Sequence, residues 1–262
     1  MDKLLVANWK MNLSRKKSIE LAHQLSAFAK DRKIFKEEGE VAIAPSNPII
    51  SEVAEIIFES GIKIAAQDCS AKDVGAYTGD TSATVLSEYG CEYVIVGHSE
   101  RRQHYNEKSD IVFKKAALAY KNNISPIVCV GETDYEREQG YLSDVLAQDL
   151  LLSLPVSSEH NRNIIVAYEP VWAIGSSKTP TLEQIKEAVD IIDHIVKHKL
   201  GFKKDKLTIL YGGSVTVENC NSILKVPKVG GLLIGGASLT YDVFTQIIES
   251  VFEGNKVVFS SA

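Results

Sequence analysis

Short apolar runs rich in β-branched residues recur along the whole chain, at Leu4–Trp9, Val41–Ala44, Ile62–Gln67, Tyr93–Val96, Pro126–Val130, Ile164–Tyr168, Leu207–Tyr211 and Gly231–Ile234. They do not alternate apolar with polar residues, as expected of strands covered on both faces of a parallel sheet. Between them lie stretches such as SIELAHQLSAFAK, SDIVFKKAALAYKNN and TLEQIKEAVDIIDHIVKHK. Their apolar residues recur at i, i+3, i+4 and i+7, which predicts amphipathic helices. A short final helix falls on VFTQIIESVFE. Eight strand–helix units in 262 residues leave about 33 residues each, enough for right-handed crossovers.

This pattern predicts an α/β protein built as one closed (β/α)8 barrel, a single domain over residues 1–262. No Pro/Gly/Ser-rich linker, charge block or low-complexity tract marks a boundary. A doubly wound open sheet is the competing architecture, but it would want a GxGxxG turn after the first strand. That strand runs into NWKMN instead. In a closed barrel the active site sits at the C-terminal ends of the strands.

Composition narrows the function. With 29 Lys+Arg against 34 Asp+Glu the formal charge is −5, which argues against a nucleic-acid or membrane-surface partner, whose footprint would be basic. The N-terminus lacks a basic segment followed by a long apolar one, and no apolar run reaches the roughly 20 residues that span a bilayer. The four cysteines (Cys69, Cys91, Cys129, Cys220) form no CxxC pair, so disulfide and zinc frameworks are not expected and a cytoplasmic location is. His194 and His198 have the i, i+4 spacing that can hold zinc, but no HExxH and no third ligand accompany them. No metal and no cofactor are expected.

The strand ends carry unusual chemistry for a structural surface. Strand one ends in Asn8-Trp9-Lys10 and strand four in Gly97-His98-Ser99-Glu100-Arg101. Strand six ends in Tyr168-Glu169-Pro170, strand seven in Tyr211-Gly212-Gly213-Ser214 and strand eight in Gly235-Gly236. A carboxylate base, an imidazole, a cation and clustered glycines suit proton transfer on a small anionic ligand. Taken singly, each residue has a plainer explanation: a surface ion pair for Glu169, core packing for His98, a snorkelling side chain for Lys10. Gly212-Gly213 and Gly230-Gly231 read equally well as ordinary turns. Cys129 reads as a small buried packing residue rather than a nucleophile, with no basic neighbour in sequence to lower its pKa.

The motifs NWKMN, GAYTGDTSA, VIVGHSERR, CVGET, AYEPVWAIG, YGGSV and GLLIGGASL, in this order over residues 3–253, closely resemble the triosephosphate isomerases. The resemblance implies a TIM barrel that interconverts dihydroxyacetone phosphate and glyceraldehyde 3-phosphate in glycolysis and gluconeogenesis, without metal or organic cofactor. It implies Glu169 as the base, His98 as the neutral imidazole that polarises the carbonyl, and Lys10 with Asn8 as donors to developing negative charge. A helix beginning at SERRQHYNE, with Ser99 near its cap, would disfavour an imidazolium at His98. Gly175, Ser214, Gly235 and Gly236 would present backbone N–H groups to the phosphate, and Glu100 would lie beside Lys10. The loop Gly75–Ala83 would enter a twofold partner and carry Thr78 towards that subunit's Asn8, Lys10 and His98, making a homodimer. The other readings are a different phosphate-binding barrel isomerase, which would not need those four residues together, and a catalytically impaired isomerase-like barrel serving as a binding protein.

Two departures from the family pattern stand out. The loop after Glu169 reads PVWAIGSSKTP rather than PVWAIGTGKTA. Ser176, Ser177 and Pro180 are the changes, and Pro180 has no N–H to offer Tyr211 when the loop closes. A charge pair of the family is exchanged in sign, which predicts a salt bridge between Asp193 and Lys228. Asp68 and Asp80 are milder changes that touch the third loop.

Overall fold

The computed structural model describes residues 3–32, 39–155, 163–175, 178–200 and 206–252. Eight parallel strands close in sequence order into one barrel: β1 (Lys3–Asn8), β2 (Gly39–Ala44), β3 (Lys63–Ala66), β4 (Cys91–Val96), β5 (Ser125–Val130), β6 (Ile164–Tyr168), β7 (Leu207–Tyr211) and β8 (Val229–Ile234). β1 pairs with β2 from Lys3↔Gly39 to Asn8↔Ala44 and with β8 from Leu4↔Gly231 to Ala7↔Ile234, which closes the ring.

The missing alternation has a simple cause. Leu4 and Val6 point into the barrel with Ala42, Ala65, Ile95, Ile165 and Leu210, while Leu5 and Ala7 pack outward against the helices with Val41, Ile43 and Leu25. Both faces are apolar because both are buried. The outer layer is α1 (Arg15–Arg32), α2 (Ile50–Ile57), α3 (Ala83–Glu88), α4 (Ser99–His104), α5 (Ser109–Lys121), α6 (Asp134–Glu138), α7 (Leu142–Ser153), α8 (Leu182–His194), α9 (Cys220–Leu224) and α10 (Tyr241–Phe252). Two starts are fixed by reciprocal capping: Thr133 with Glu136 for α6, and Thr181 with Gln184 for α8.

Three sequence expectations need adjustment. Gly230 and Gly231 lie inside β8 rather than in a turn. A Cβ on Gly231 would stand 2.0 Å from the Leu4 carbonyl oxygen, so only glycine lets β8 approach β1. The stretch expected as one helix over 181–199 is α-helical to His194 and then widens into a π turn over Ile195–Lys199, with Leu200 N–H donating to Ile195 O at 3.1 Å. The Asp193–Lys228 salt bridge is present at 3.0 Å, but Lys228 also reaches Asp190 at 2.7 Å. Lys186 and Lys197 flank the two carboxylates, so the expected pair is part of a five-member network. No helix among the described residues is long and apolar enough to cross a membrane.

Candidate active site

Residues from five strand ends meet around a cavity of about 630 Å³ at the C-terminal mouth of the barrel. Asn8, Lys10, His98, Glu100, Glu169, Gly175, Ser214, Gly235 and Gly236 all line it, although they come from opposite ends of the chain. Ser99 touches the base from behind, Tyr211 is buried beneath Gly213, and Thr78 sits exposed on the loop between β3 and α3, away from the cavity of its own chain. Ser176 and Ser177 lie outside the described residues.

Glu169 follows β6 directly and is held by two ladder bonds: its N–H donates to Val130 O and Gly212 N–H donates to Tyr168 O, both at 2.8 Å. Two neighbouring glycines make room. A Cβ on Gly131 would overlap the Glu169 carbonyl at 1.7 Å, and one on Gly212 would press on its Cγ at 3.0 Å. The carboxylate is buried, 1% exposed. Its Oε2 accepts the Ser99 N–H at 2.8 Å, and its Oε1 stands 3.0 Å from His98 Nε2. A buried carboxylate beside an imidazole is placed to accept a proton from a ligand in the cavity.

His98 itself is the cap of α4, and Ser99 beside it is the first helical residue, as expected. The His98 Nδ1 accepts the Glu100 N–H at 3.2 Å. An imidazole nitrogen that accepts carries no proton, so the neutral ring has its N–H at Nε2, on the cavity side. Gly97 makes the turn that delivers it, with φ +68° and no space for a Cβ beside Val112.

Lys10 adopts a left-handed backbone, φ 50°, a conformation that costs a non-glycine residue about 1–3 kcal/mol and persists only where surroundings enforce it. The enforcement is visible. Lys10 N–H donates to Asn8 Oδ1 at 3.0 Å, and its carbonyl accepts from Gln67 Nε2 at 2.8 Å and Ser46 Oγ at 3.2 Å. Its ammonium lies 2.6 Å from Glu100 Oε1. Burial alone would raise the Glu100 carboxyl, but the Lys10 hydrogen bond and charge, with smaller contributions from His98 and His104, together hold Glu100 below its ordinary range.

Opposite Lys10, Gly235 and Gly236 begin a single 3₁₀ turn, Gly236–Ser238, and Gly175 has φ +66°. Backbone N–H groups at such a turn can receive an anion closely because no Cβ intervenes. Among the described residues no group of three or more His, Cys, Asp or Glu side chains could hold a metal.

Two side chains that the sequence did not single out matter here. Gln67, at the end of an apolar run, donates its amide to both Lys10 O and Ala44 O. Glu132 stood within the motif CVGET and is fully buried, accepting from Trp172 Nε1 at 2.8 Å and Tyr168 Oη at 3.0 Å. Burial outweighs those bonds and pushes its carboxyl up. It anchors the first residues after Glu169. A polar residue directly following an apolar strand and a glycine was the available signal.

Fold and cavity together define a class: a closed eight-stranded βα barrel whose strand ends bring a buried carboxylate, an imidazole with its N–H facing inward and a lysine into one pocket. The comparisons with known proteins narrow this. The family model described as triosephosphate isomerase matches residues 3–251. Triosephosphate isomerase of Chloroherpeton thalassium is 43% identical over 250 residues, covering 95% of this chain and 98% of the relative. That of Granulibacter bethesdensis is 40% identical, covering 95% and 99%. A crystal structure of triosephosphate isomerase from Bartonella henselae superposes with a TM-score of 0.85 at 35% identity, covering 97% of this chain and all of that one. The chain belongs to the triosephosphate isomerase family.

Proposed function

We propose that the chain interconverts dihydroxyacetone phosphate and D-glyceraldehyde 3-phosphate by proton transfer through an enediolate, serving glycolysis and gluconeogenesis in the cytoplasm. The observation that carries this reading is the joint placement of Glu169, His98 and Lys10 on one cavity, with Glu169 Oε1 3.0 Å from His98 Nε2. Glu169 takes the proton from C1 of the ketone and returns it to C2. His98 donates its Nε2 proton to the carbonyl oxygen, which leaves the ring an imidazolate, and then takes a proton from the neighbouring hydroxyl, so the ring is neutral again only after the pair of transfers. Lys10 and Asn8 stabilise the oxygen charge that develops between those steps. Gly175, Ser214, Gly235 and Gly236 hold the phosphate through backbone N–H groups. No step draws on a metal or an organic cofactor.

The functional unit in this reading is a homodimer formed through Gly75–Ala83, with Thr78 reaching the partner's pocket. Two exposed apolar side chains support it: Val74, 90% exposed, at the base of that loop, and Met11, 95% exposed, beside Lys10. A second copy would bury both.

The test is steady-state turnover of glyceraldehyde 3-phosphate in a coupled assay, with Glu169→Ala as control. The expected kcat/KM is about 10⁷–10⁸ M⁻¹s⁻¹, the near-diffusional range for which this family is a standard example. It should collapse in the variant. A wild-type value many decades lower would instead favour a barrel kept for binding.

A further inference from the structure

On the far end of α8 from the cavity lies a cluster that the proposed reaction does not use. His194 ends the α-helix and His198 lies in the π turn that follows; both are exposed, with ring centroids 4.8 Å apart and planes inclined by 38°. We propose that His194 and His198 form an open two-imidazole chelate for a divalent first-row transition-metal ion of nitrogen preference, such as Ni²⁺ or Cu²⁺.

The separation is what such a chelate requires. An imidazole nitrogen binds these ions at about 2.0–2.1 Å, which puts each ring centroid about 3.2 Å from the ion. Two centroids 4.8 Å apart then subtend roughly 95–100° at the ion, near the cis angle of tetragonal Cu²⁺ or octahedral Ni²⁺. The χ2 torsion of histidine is broad, so turning the rings needs no movement of the backbone. The π turn is fixed by the Leu200-to-Ile195 bond, and it keeps residues four apart on one face.

The charged surroundings set the strength. Asp193 is occupied by Lys197 and Lys228, and Lys197 and Lys199 lie on the same turn. None of the carboxylates is free to join, and no third side chain among the described residues completes a closed site. Two ligands do not make a structural zinc centre. Water fills the remaining positions, and the ion exchanges freely. Each ring binds the ion through an unprotonated nitrogen.

The experiment is calorimetric titration of the untagged full-length chain with NiCl₂ at pH 7.5. The expected result is saturable binding of one ion per chain that weakens at least tenfold in either His194→Asn or His198→Asn. His23→Asn, which removes a lone exposed imidazole, leaves it unchanged. Mg²⁺ does not compete. Cu²⁺ loaded on the wild type shows hyperfine coupling to two nitrogens, a readout independent of folding in any variant. Undiminished binding in either histidine variant, equal loss in His23→Asn, or coupling to a single nitrogen overturns the proposal.

Discussion

The Glu169 carboxylate is held on one side and faces the imidazole on the other: Oε2 accepts the Ser99 N–H at 2.8 Å, while Oε1, with no hydrogen-bond partner among the described residues, lies 3.0 Å from His98 Nε2. Both contacts come from one short stretch at the start of α4. The general base of the proposed reaction is therefore aligned by the element that carries its acid. Glu169→Asp keeps the charge but withdraws it by about 1 Å. A displacement of that size costs on the order of 100-fold in rate. We expect kcat to fall by about that factor with KM nearly unchanged, measured by steady-state kinetics. An equal fall through KM alone would mean that Glu169 binds rather than reacts.

Gln67→Ala tests whether the strained Lys10 backbone depends on its clamp. The substitution removes one donor each from Lys10 O and Ala44 O, a loss of about 1–3 kcal/mol in folding free energy. Lys10 then relaxes from φ 50°, and its ammonium leaves the anion site. The expected kinetic effect is about a tenfold fall in kcat/KM. Urea unfolding and kinetics on the same sample separate the two effects. Full activity with reduced stability would confine Gln67 to the fold.

How much of this was legible in the sequence depends on what marks each boundary. Strands two and four to eight end where expected, because an apolar run stops abruptly at residues such as Gly97, Glu169 and Gly212. The strand starts begin one or two residues earlier than the apolar runs, at Gly39, Cys91, Ser125 and Val229, since ladder bonds do not require an apolar side chain. Trp9 and Gln67 were expected inside strands one and three. Both fall just outside: Trp9 N–H still donates to Ala44 O at 3.1 Å, but the chain then turns at Lys10. The side chains that line the cavity were legible because proton transfer needs particular residue types. The clamp by Gln67 was not, because an amide bonding two backbone carbonyls from a distant strand leaves no local pattern.

Tyr211 carries a buried hydroxyl with no hydrogen-bond partner among the described residues. Burial also pushes its pKa up, so it stays neutral. Pro180, which ends the loop, has no N–H to give it. Removing an unpaired buried hydroxyl relieves a desolvation cost, so Tyr211→Phe should raise stability by about 1 kcal/mol and leave kcat close to wild type. In a Pro180→Ala background the same change should lower kcat, because a donor is then within the loop. A large loss of activity from Tyr211→Phe with Pro180 in place would show that the hydroxyl already has a partner during turnover.

The four cysteines are all buried and free. Burial pushes the Cys69 and Cys91 thiols up to about 12 and Cys129 well above its ordinary value. Reaction requires the thiolate and access to it. The native chain should therefore react negligibly with a disulfide reagent such as DTNB at pH 8. All four thiols should titrate once the chain is unfolded in guanidinium. Rapid labelling of one native thiol would contradict the burial of that residue.

The carboxylate network on α8 gives a stability signature in pH. Burial alone would push Asp193 up, but Lys197 and Lys228 hold it below its ordinary range; Asp190 is lowered by Lys186 and Lys228. A carboxyl depressed in the folded state adds stability above its unfolded pKa, about 3.9, and loses it as the pH falls through the folded value. Lys228→Met should thus cost up to about 1 kcal/mol at pH 7, a modest figure because Lys228 is well exposed. The difference from wild type should shrink below pH 4 and vanish once both carboxyls are protonated. Urea midpoints for the two proteins at pH 7, 5, 4 and 3 measure it directly. A difference that persists undiminished at pH 3 would assign the effect of Lys228 to packing of its aliphatic stem rather than to its charge.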